Sequence, residues 1–243
     1  MKINDLHLQL GAVRDLALSD KLMPVVQRLL GHVPALCNSL YLEKGSGQDR
    51  HVDSLYMTPS TPLHLIAAWI ALEDTHEDAG QLEYFPQSHR IEPMVFSNGT
   101  YHFIENEMVK WRGYMDENID RMKLRRVTFN AKKGDVFIWH ANLLHAGGNI
   151  NDPTLTRKSC VFHYFSEHDA RMDGCSLVPQ AGAFWIDRPP PPVPHMVAVQ
   201  LPFNEQAYLG RYPDVADAVK NGQFSSGKAH YDIYGKNEGR LPC

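Results

Sequence analysis

The chain has 243 residues, 43% hydrophobic and 21% charged, with a formal net charge of −4. That is enough apolar material for one large core, alone or with a small appendage, so disorder is excluded, and the acidic balance speaks against a general nucleic-acid binder. The longest apolar stretch, Leu63 to Leu72, is about ten residues against the ~20 that span a bilayer, and Asp5, Arg14 and Asp15 interrupt any signal-like start, so a cytoplasmic protein without a membrane partner is expected.

Ser19 is placed to cap a helix whose apolar positions Leu22, Val25, Val26, Leu29 and Leu30 recur at helical spacing, with Pro24 near its start and Gly31 as its stop. From Ala35 onward the pattern changes. Ser39–Glu43, Leu65–Leu72, Leu82–Phe85, Val127–Asn130, Val136–Trp139 and Cys160–Phe165 read as short strands, separated by turns such as Gly45-Ser46-Gly47, Asp78-Ala79-Gly80 and Lys133-Gly134-Asp135. Many short strands with turns predict a sandwich or barrel. Residues 99–126 break this rhythm with a helix-compatible segment holding Trp111, Tyr114, Met115, Arg121, Lys123, Arg125 and Arg126. It is either a lid whose cations meet an anionic substrate or a solvated helix face, and the second is the simpler reading.

Arg188-Pro189-Pro190-Pro191-Pro192-Val193-Pro194 reads as an extended linker. Beyond it, Pro213 suits a first helical turn, Gly222 a stop, and Ser225 or Ser226 another N-cap, which predicts two or three short helices over 203–240. The expected organisation is a mostly β domain with flanking helices over 1–187, a Pro-rich linker over 188–200 and a small helical module over 201–243. That module, from Tyr208-Leu209-Gly210-Arg211-Tyr212-Pro213-Asp214 through His230-Tyr231 to Arg240, resembles a short helical appendage of various bacterial proteins. Its helices are where self-association would be sought.

Cys37, Cys160, Cys175 and Cys243 lie far apart and form no CxxC pair, so neither a zinc-thiolate site nor a disulfide framework is indicated. Histidine is abundant, with 13 residues, and needs partners, exposure or metal. In a strand, residues i and i+2 share a face, so His51-Val52-Asp53 presents an imidazole and a carboxylate to one centre. With 13 His and 17 Asp, chance alone supplies about one such pair, and His76-Glu77-Asp78 is a second, set in an acidic turn. A third ligand must come from a distant strand, where His140 and His145 are candidates. His145 is preferred because Gly147 after it lets backbone approach a ligand. Arg157, followed by Ser159 in an apolar strand, would need an anionic partner if buried, and a dicarboxylate would supply one.

Taken together, Gln48-Asp49-Arg50-His51-Val52-Asp53, Ala68-Trp69-Ile70-Ala71-Leu72-Glu73-Asp74, Ala79-Gly80-Gln81-Leu82-Glu83-Tyr84-Phe85-Pro86-Gln87-Ser88-His89-Arg90, and His145-Ala146-Gly147-Gly148-Asn149 with Arg157 resemble the phytanoyl-CoA dioxygenase family. The resemblance covers roughly residues 20–166. It implies a double-stranded β-helix, a jelly-roll or cupin-like fold, and selects His51 over His76. It further implies an Fe(II)- and 2-oxoglutarate-dependent dioxygenase that uses O₂ and releases succinate and CO₂ while hydroxylating a small-molecule substrate. On that basis His51, Asp53 and His145 would hold iron, Arg157 the distal carboxylate of 2-oxoglutarate with Ser159 as a second partner, and Trp69 would line that pocket. Tyr56, Met57 and segment 99–126 would face the substrate. Two departures stand out. The family's Pro-Gly-Ser-His turn reads Pro86-Gln87-Ser88-His89, so a non-glycine must meet its tight geometry, and contacts from the family's upstream helix and strand are expected to be missing. The rival readings are a cupin-like metalloenzyme that does not use 2-oxoglutarate and a retired oxygenase fold serving as a binding scaffold.

Overall fold

In the computed structural model, strands β1 (Lys2–Asn4), β2 (Pro34–Leu42), β3 (Leu65–Ala71), β4 (Leu82–Tyr84), β5 (Val127–Phe129), β6 (Val136–His140), β7 (His145–Gly147), β8 (Ser159–Ser166), β9 (Ser176–Gln180) and β10 (Ala183–Asp187) sort into two sheets. The larger runs β6-β3-β8-β2-β10-β9, with β1 also paired to β2, and the smaller runs β5-β4-β7. The structure describes residues 1–190, 203–235, 238 and 240, so most of the expected linker lies outside the described residues. The chain divides into two units, Met1–Val193 and Pro194–Cys243.

β3 carries no polar residue because both of its faces are covered, and every side chain in it is buried. Ile66, Ala68 and Ile70 point outward with Phe162 and Tyr164 of β8 and meet Ala17 of helix α1 (Gly11–Ala17), Leu18 just after it, and Met23, Val26 and Leu30 of helix α2 (Met23–Leu30). Ala67, Trp69 and Ala71 point inward with Leu42, Trp139 and Val161, where Tyr84 and Phe129 of the small sheet close over them. The Tyr84 and Phe137 rings approach to 4.6 Å, so the two sheets share an aromatic interior. This is a double-stranded β-helix with helices on its outer face, and it is not a closed barrel.

The helical segment forms as α3 (Met108–Met122), which buries Asn118 and packs Trp111 and Met115 with Val52, Leu55 and Leu144. Its cations stay with protein partners or solvent: Arg121 donates to Asn118, and Arg126 to Glu83. α2 stops at Gly31, whose φ is 70°, but starts at Met23 rather than at Ser19, which opens a preceding turn through its carbonyl and caps nothing with its side chain. Only Met23, Val26 and Leu30 are buried on α2, while Val25 and Leu29 are exposed. A short helix α4 (Glu167–Met172), capped by Ser166 Oγ, links β8 to the β9–β10 hairpin. Residues 2–30 supply β1, α1 and α2.

In the second unit, α5 (Glu205–Arg211), α6 (Pro213–Lys220) and α7 (Gly227–His230) pack around Tyr208 and Val215, both fully buried. Pro213 opens α6, Gly222 follows it with φ 74°, and Ser226 Oγ accepts from Ala229 N to cap α7. The Glu205 carboxylate also accepts from the Gly227 and Lys228 amides, joining the first and last helices. Among the described residues no helix is long and apolar enough to cross a membrane.

Candidate metal centre

His51 forms an isolated antiparallel bridge with His145, the first residue of β7. Paired residues on neighbouring strands share a face, and the two imidazole centroids lie 4.3 Å apart. Asp53, two residues on, starts a single helical turn that keeps its carboxylate on the same side. The ligating atoms of His51, Asp53 and His145 all fall within 4.8 Å of one another, and all three residues are buried. The two imidazole Nε2 atoms lie 3.9 and 3.7 Å from Asp53 Oδ1.

The orientation of both rings is set from behind. His51 Nδ1 is 2.8 Å from the Asp49 carbonyl and His145 Nδ1 is 2.9 Å from the Leu143 carbonyl. A carbonyl only accepts, so each Nδ1 carries the proton and each Nε2 presents its lone pair to the centre. Burial, reinforced by His145, pulls the His51 pKa down to about 4, which keeps the ring neutral at physiological pH. Burial acts to raise the Asp53 carboxyl, but the neighbouring His145, His163 and His51 rings outweigh it and hold it well below the usual carboxylate range. Two imidazoles and one carboxylate in a buried cluster are a donor set for a divalent transition metal.

Beside this cluster runs a cavity lined by Leu40, Leu42, Trp69, Trp139, Val161 and Arg157. Arg157 is 2% exposed, and Nη1 donates to the Gly80 carbonyl at 2.6 Å. Gly80 itself has φ 75°, and a Cβ there would press on Ile150 and the Gly148 carbonyl, so only glycine brings this carbonyl to the arginine. Arg157 Nε, Ser159 Oγ and Trp69 Nε1 are buried with no hydrogen-bond partner. Orphaned donors of this kind are costly. Three of them, beside a candidate metal cluster, suit an anionic ligand.

The structure thus brings His51, Asp53, His145, Arg157 and Trp69 onto one cavity, with Ser159 buried at the start of β8. His76 and Asp78 stay apart in an exposed turn, where the Asp78 amide donates to His76 Nδ1 and the Asp78 carboxylate accepts from Asn151. His140 accepts from the Asn142 amide and lies outside the triad. Tyr56 is 43% exposed, and its ring sits 5.8 Å from that of His51 and 5.4 Å from that of Phe103.

Three further residues, which no motif in the sequence marks, border the centre and its cavity. Trp139 Nε1 donates to Asp53 Oδ2 at 2.7 Å, His163 Nε2 lies 3.6 Å from the same oxygen, and Lys2 on β1 adds a second cation to the cavity wall. The signal for His163 was present: positions 159, 161 and 163 alternate on one face of β8. A buried indole N–H seeking an acceptor was the signal for Trp139.

A sequence profile of the phytanoyl-CoA dioxygenase (PhyH) family matches residues 3–158. The phytanoyl-CoA dioxygenase domain-containing protein 1 homolog of Caenorhabditis briggsae is 24% identical over 174 residues, a match spanning 68% of this chain and 58% of that relative's length. Among solved structures, the non-heme alpha ketoglutarate dependent carbocyclase SnoK is 19% identical with a TM-score of 0.56, covering 77% of this chain and 76% of that one. The epimerase SnoN in complex with Fe3+, alpha ketoglutarate and nogalamycin RO is 22% identical with a TM-score of 0.55 over 77% and 78%. EctD from S. alaskensis with bound Fe is 20% identical with a TM-score of 0.52 over 77% and 61%. These structures share the fold, and the profile takes in His51, Asp53, His145 and Arg157 in a single match over more than half the sequence, so the chain belongs to the phytanoyl-CoA dioxygenase family.

Proposed function

We propose that this protein is an Fe(II)- and 2-oxoglutarate-dependent dioxygenase acting on a small-molecule substrate, with His51, Asp53 and His145 as the iron ligands. One observation carries the reading: the triad opens onto a cavity where Arg157 is buried with an unsatisfied Nε, beside an unsatisfied Ser159 Oγ and Trp69 Nε1. A cupin-like centre that does not use 2-oxoglutarate has no need of a buried guanidinium. When bound, iron and 2-oxoglutarate together supply an oxidant from O₂, with decarboxylation to succinate and CO₂ coupled to hydroxylation of a substrate C–H bond.

The chain's own residues prepare for this. The Nε2 atoms of His51 and His145, with each Nδ1 proton held by a backbone carbonyl, and the ionised Oδ1 of Asp53 offer the metal three donors. Burial lowers the Arg157 pKa to about 10, still well above neutrality, so the guanidinium stays charged and grips the distal carboxylate of 2-oxoglutarate, with the Ser159 hydroxyl as a second donor. The Gly80 carbonyl fixes the plane of the guanidinium. Trp69, Leu42, Trp139 and Val161 exclude water from around the centre, and Tyr56 with Phe103 forms an aromatic wall beside His51 where a substrate can be oriented.

Succinate release from 2-oxoglutarate in the presence of Fe(II) and O₂, screened against pooled metabolites, tests this reading. His145→Ala and Asp53→Ala should abolish it, and Arg157→Ala should raise the 2-oxoglutarate concentration needed by at least ~10-fold, as expected for loss of a charge-assisted bidentate contact. Full turnover by Asp53→Ala without added iron would sink the proposal.

A further inference from the structure

A line of polar side chains starts behind Asp53 and ends at the protein surface. His163 Nε2 is 3.6 Å from Asp53 Oδ2, and His163 Nδ1 is 3.1 Å from Asn38 Oδ1. Asn38 Nδ2 donates to Asp5 Oδ1 at 2.9 Å, and Arg188 Nη2 donates to Asp5 Oδ2 at 2.7 Å. The second arm of that guanidinium, Nη1, donates to the Cys37 carbonyl at 3.0 Å, and Cys37 Sγ points to the His163 carbonyl at 3.2 Å. His163 and Asp53 are buried, whereas the Arg188 side chain is 36% exposed.

The backbone is shaped to make this line. β2 carries an irregularity between Leu36 and Asn38, so that Leu36 faces the helices while Leu40 and Leu42 face the cavity. Without that shift, Asn38 would share the face of Leu36. With it, Asn38 is the cross-strand partner of His163. The Asp5 carboxylate can only accept, so the Asn38 amide donates to it and turns its carbonyl oxygen to His163 Nδ1. That places the His163 proton on Nδ1, toward Asn38, and locks the imidazole plane with its Nε2 edge packed against Asp53 Oδ2.

Asp53 gains a division of labour. Oδ2 is occupied by the Trp139 indole N–H and faced by His163, whereas Oδ1 is the oxygen near both other candidate ligands. A carboxylate held by one oxygen binds a metal through the other, leaving more of the coordination sphere open than a bidentate one would.

We propose that His163 is a positioning residue for the metal ligand Asp53, and that the Asn38, Asp5 and Arg188 side chains hold it there, so that metal affinity depends on an ion pair at the surface. The inference rests on the metal-centre reading above. Co(II) titrated into the metal-free full-length protein, followed by tryptophan quenching and by the visible Co(II) bands, tests it.

His163→Ala should raise the Co(II) Kd by ~10–100-fold and shift the bands, as losses of groups behind metal ligands do, with His163→Gln in between because its side chain still fills part of the space beside Asp53 Oδ2. Arg188→Ala, which touches nothing in the centre, should raise Kd by ~3-fold with the bands moved in the same direction, and Lys132→Ala, which removes an exposed ion pair with Asp74, should change neither. Thermal unfolding of each metal-free variant shows whether it is folded. A folded His163→Ala or His163→Gln with wild-type Kd and bands overturns the proposal, and wild-type binding in Arg188→Ala overturns the link to the surface. A wild type that binds no Co(II), or binds it no better than Asp53→Ala, overturns the metal-centre reading as well, which keeps the two failures distinguishable.

Discussion

The Asp49 and Leu143 carbonyls, each two residues before its histidine, hold the Nδ1 protons of His51 and His145 and so turn both Nε2 atoms to the centre. The same economy is visible at His7, whose ring is fully buried with Nδ1 2.8 Å from Ser39 Oγ and Nε2 unpartnered. Burial lowers its pKa to about 4, outweighing the nearby Asp5 carboxylate. The folded state therefore binds fewer protons than the unfolded state between about pH 6.5 and about pH 4, so stability falls as pH drops through that window and is flat above it. The upper limit is ~3 kcal/mol, and His51 adds the same sign in the metal-free protein. Urea midpoints at about pH 7.5 and about pH 5 should differ less in His7→Gln than in the wild type; an unchanged difference would place the acid sensitivity elsewhere. The residues of the centre were legible in the sequence to the extent that spacing carries geometry. His51 and Asp53 declare themselves by their i, i+2 relation, and Arg157 by its place before an apolar strand. Asn38 and Lys2 did not, because their meaning depends on which strands become neighbours.

At the scale of elements, the turn Pro86-Gln87-Ser88-His89 positions the strand that carries His145. Gln87 adopts φ 72°, a left-handed conformation that a non-glycine residue occupies at a cost. Ser88 Oγ accepts from the Leu144 amide at 2.8 Å, and the Leu144 carbonyl accepts from Phe85 N. Gln87→Gly should therefore stabilise the fold by roughly 0.5–1 kcal/mol, and Ser88→Ala should cost about 1–3 kcal/mol by leaving a buried amide unpaired. Denaturant midpoints measure both, and a destabilised Gln87→Gly would contradict the turn argument.

Strands β3, β4, β5, β6 and β8 were legible to within one or two residues because their apolar runs are bounded by turns. β1 is too short to show a period. The β9–β10 hairpin was hidden because Pro179 lies inside β9 and its turn is made by Ala181 and Gly182, with φ 51° and 77°, where the usual Asn-Gly signal is missing. α1 is a seven-residue helix whose Leu10 N-cap offers no side-chain acceptor, so no start signal marks it.

For the whole molecule, the two units differ in how they are held together. The first rests on an interior shared by two sheets and on helices packed outside them. The second rests on Tyr208, whose hydroxyl meets His230 Nδ1 at 3.0 Å beneath a cluster of aromatic rings. Truncating a fully buried aromatic costs about 3–5 kcal/mol, which a unit of this size would not survive. Tyr208→Ala in the full-length chain should therefore lose the helical signal of residues 203–235 while leaving Co(II) affinity unchanged. A Kd that rises with that loss would show that the metal centre depends on the second unit.

The central claim, that one cavity holds both a metal and 2-oxoglutarate, is tested most directly by anaerobic calorimetric titration of 2-oxoglutarate into the protein with and without Fe(II). Binding should require Fe(II), be abolished in Asp53→Ala and be weakened at least ~10-fold in Arg157→Ala. An Fe(II)-loaded protein that takes up no 2-oxoglutarate, or takes it up equally well without Arg157, would contradict it and leave a metal site of another chemistry.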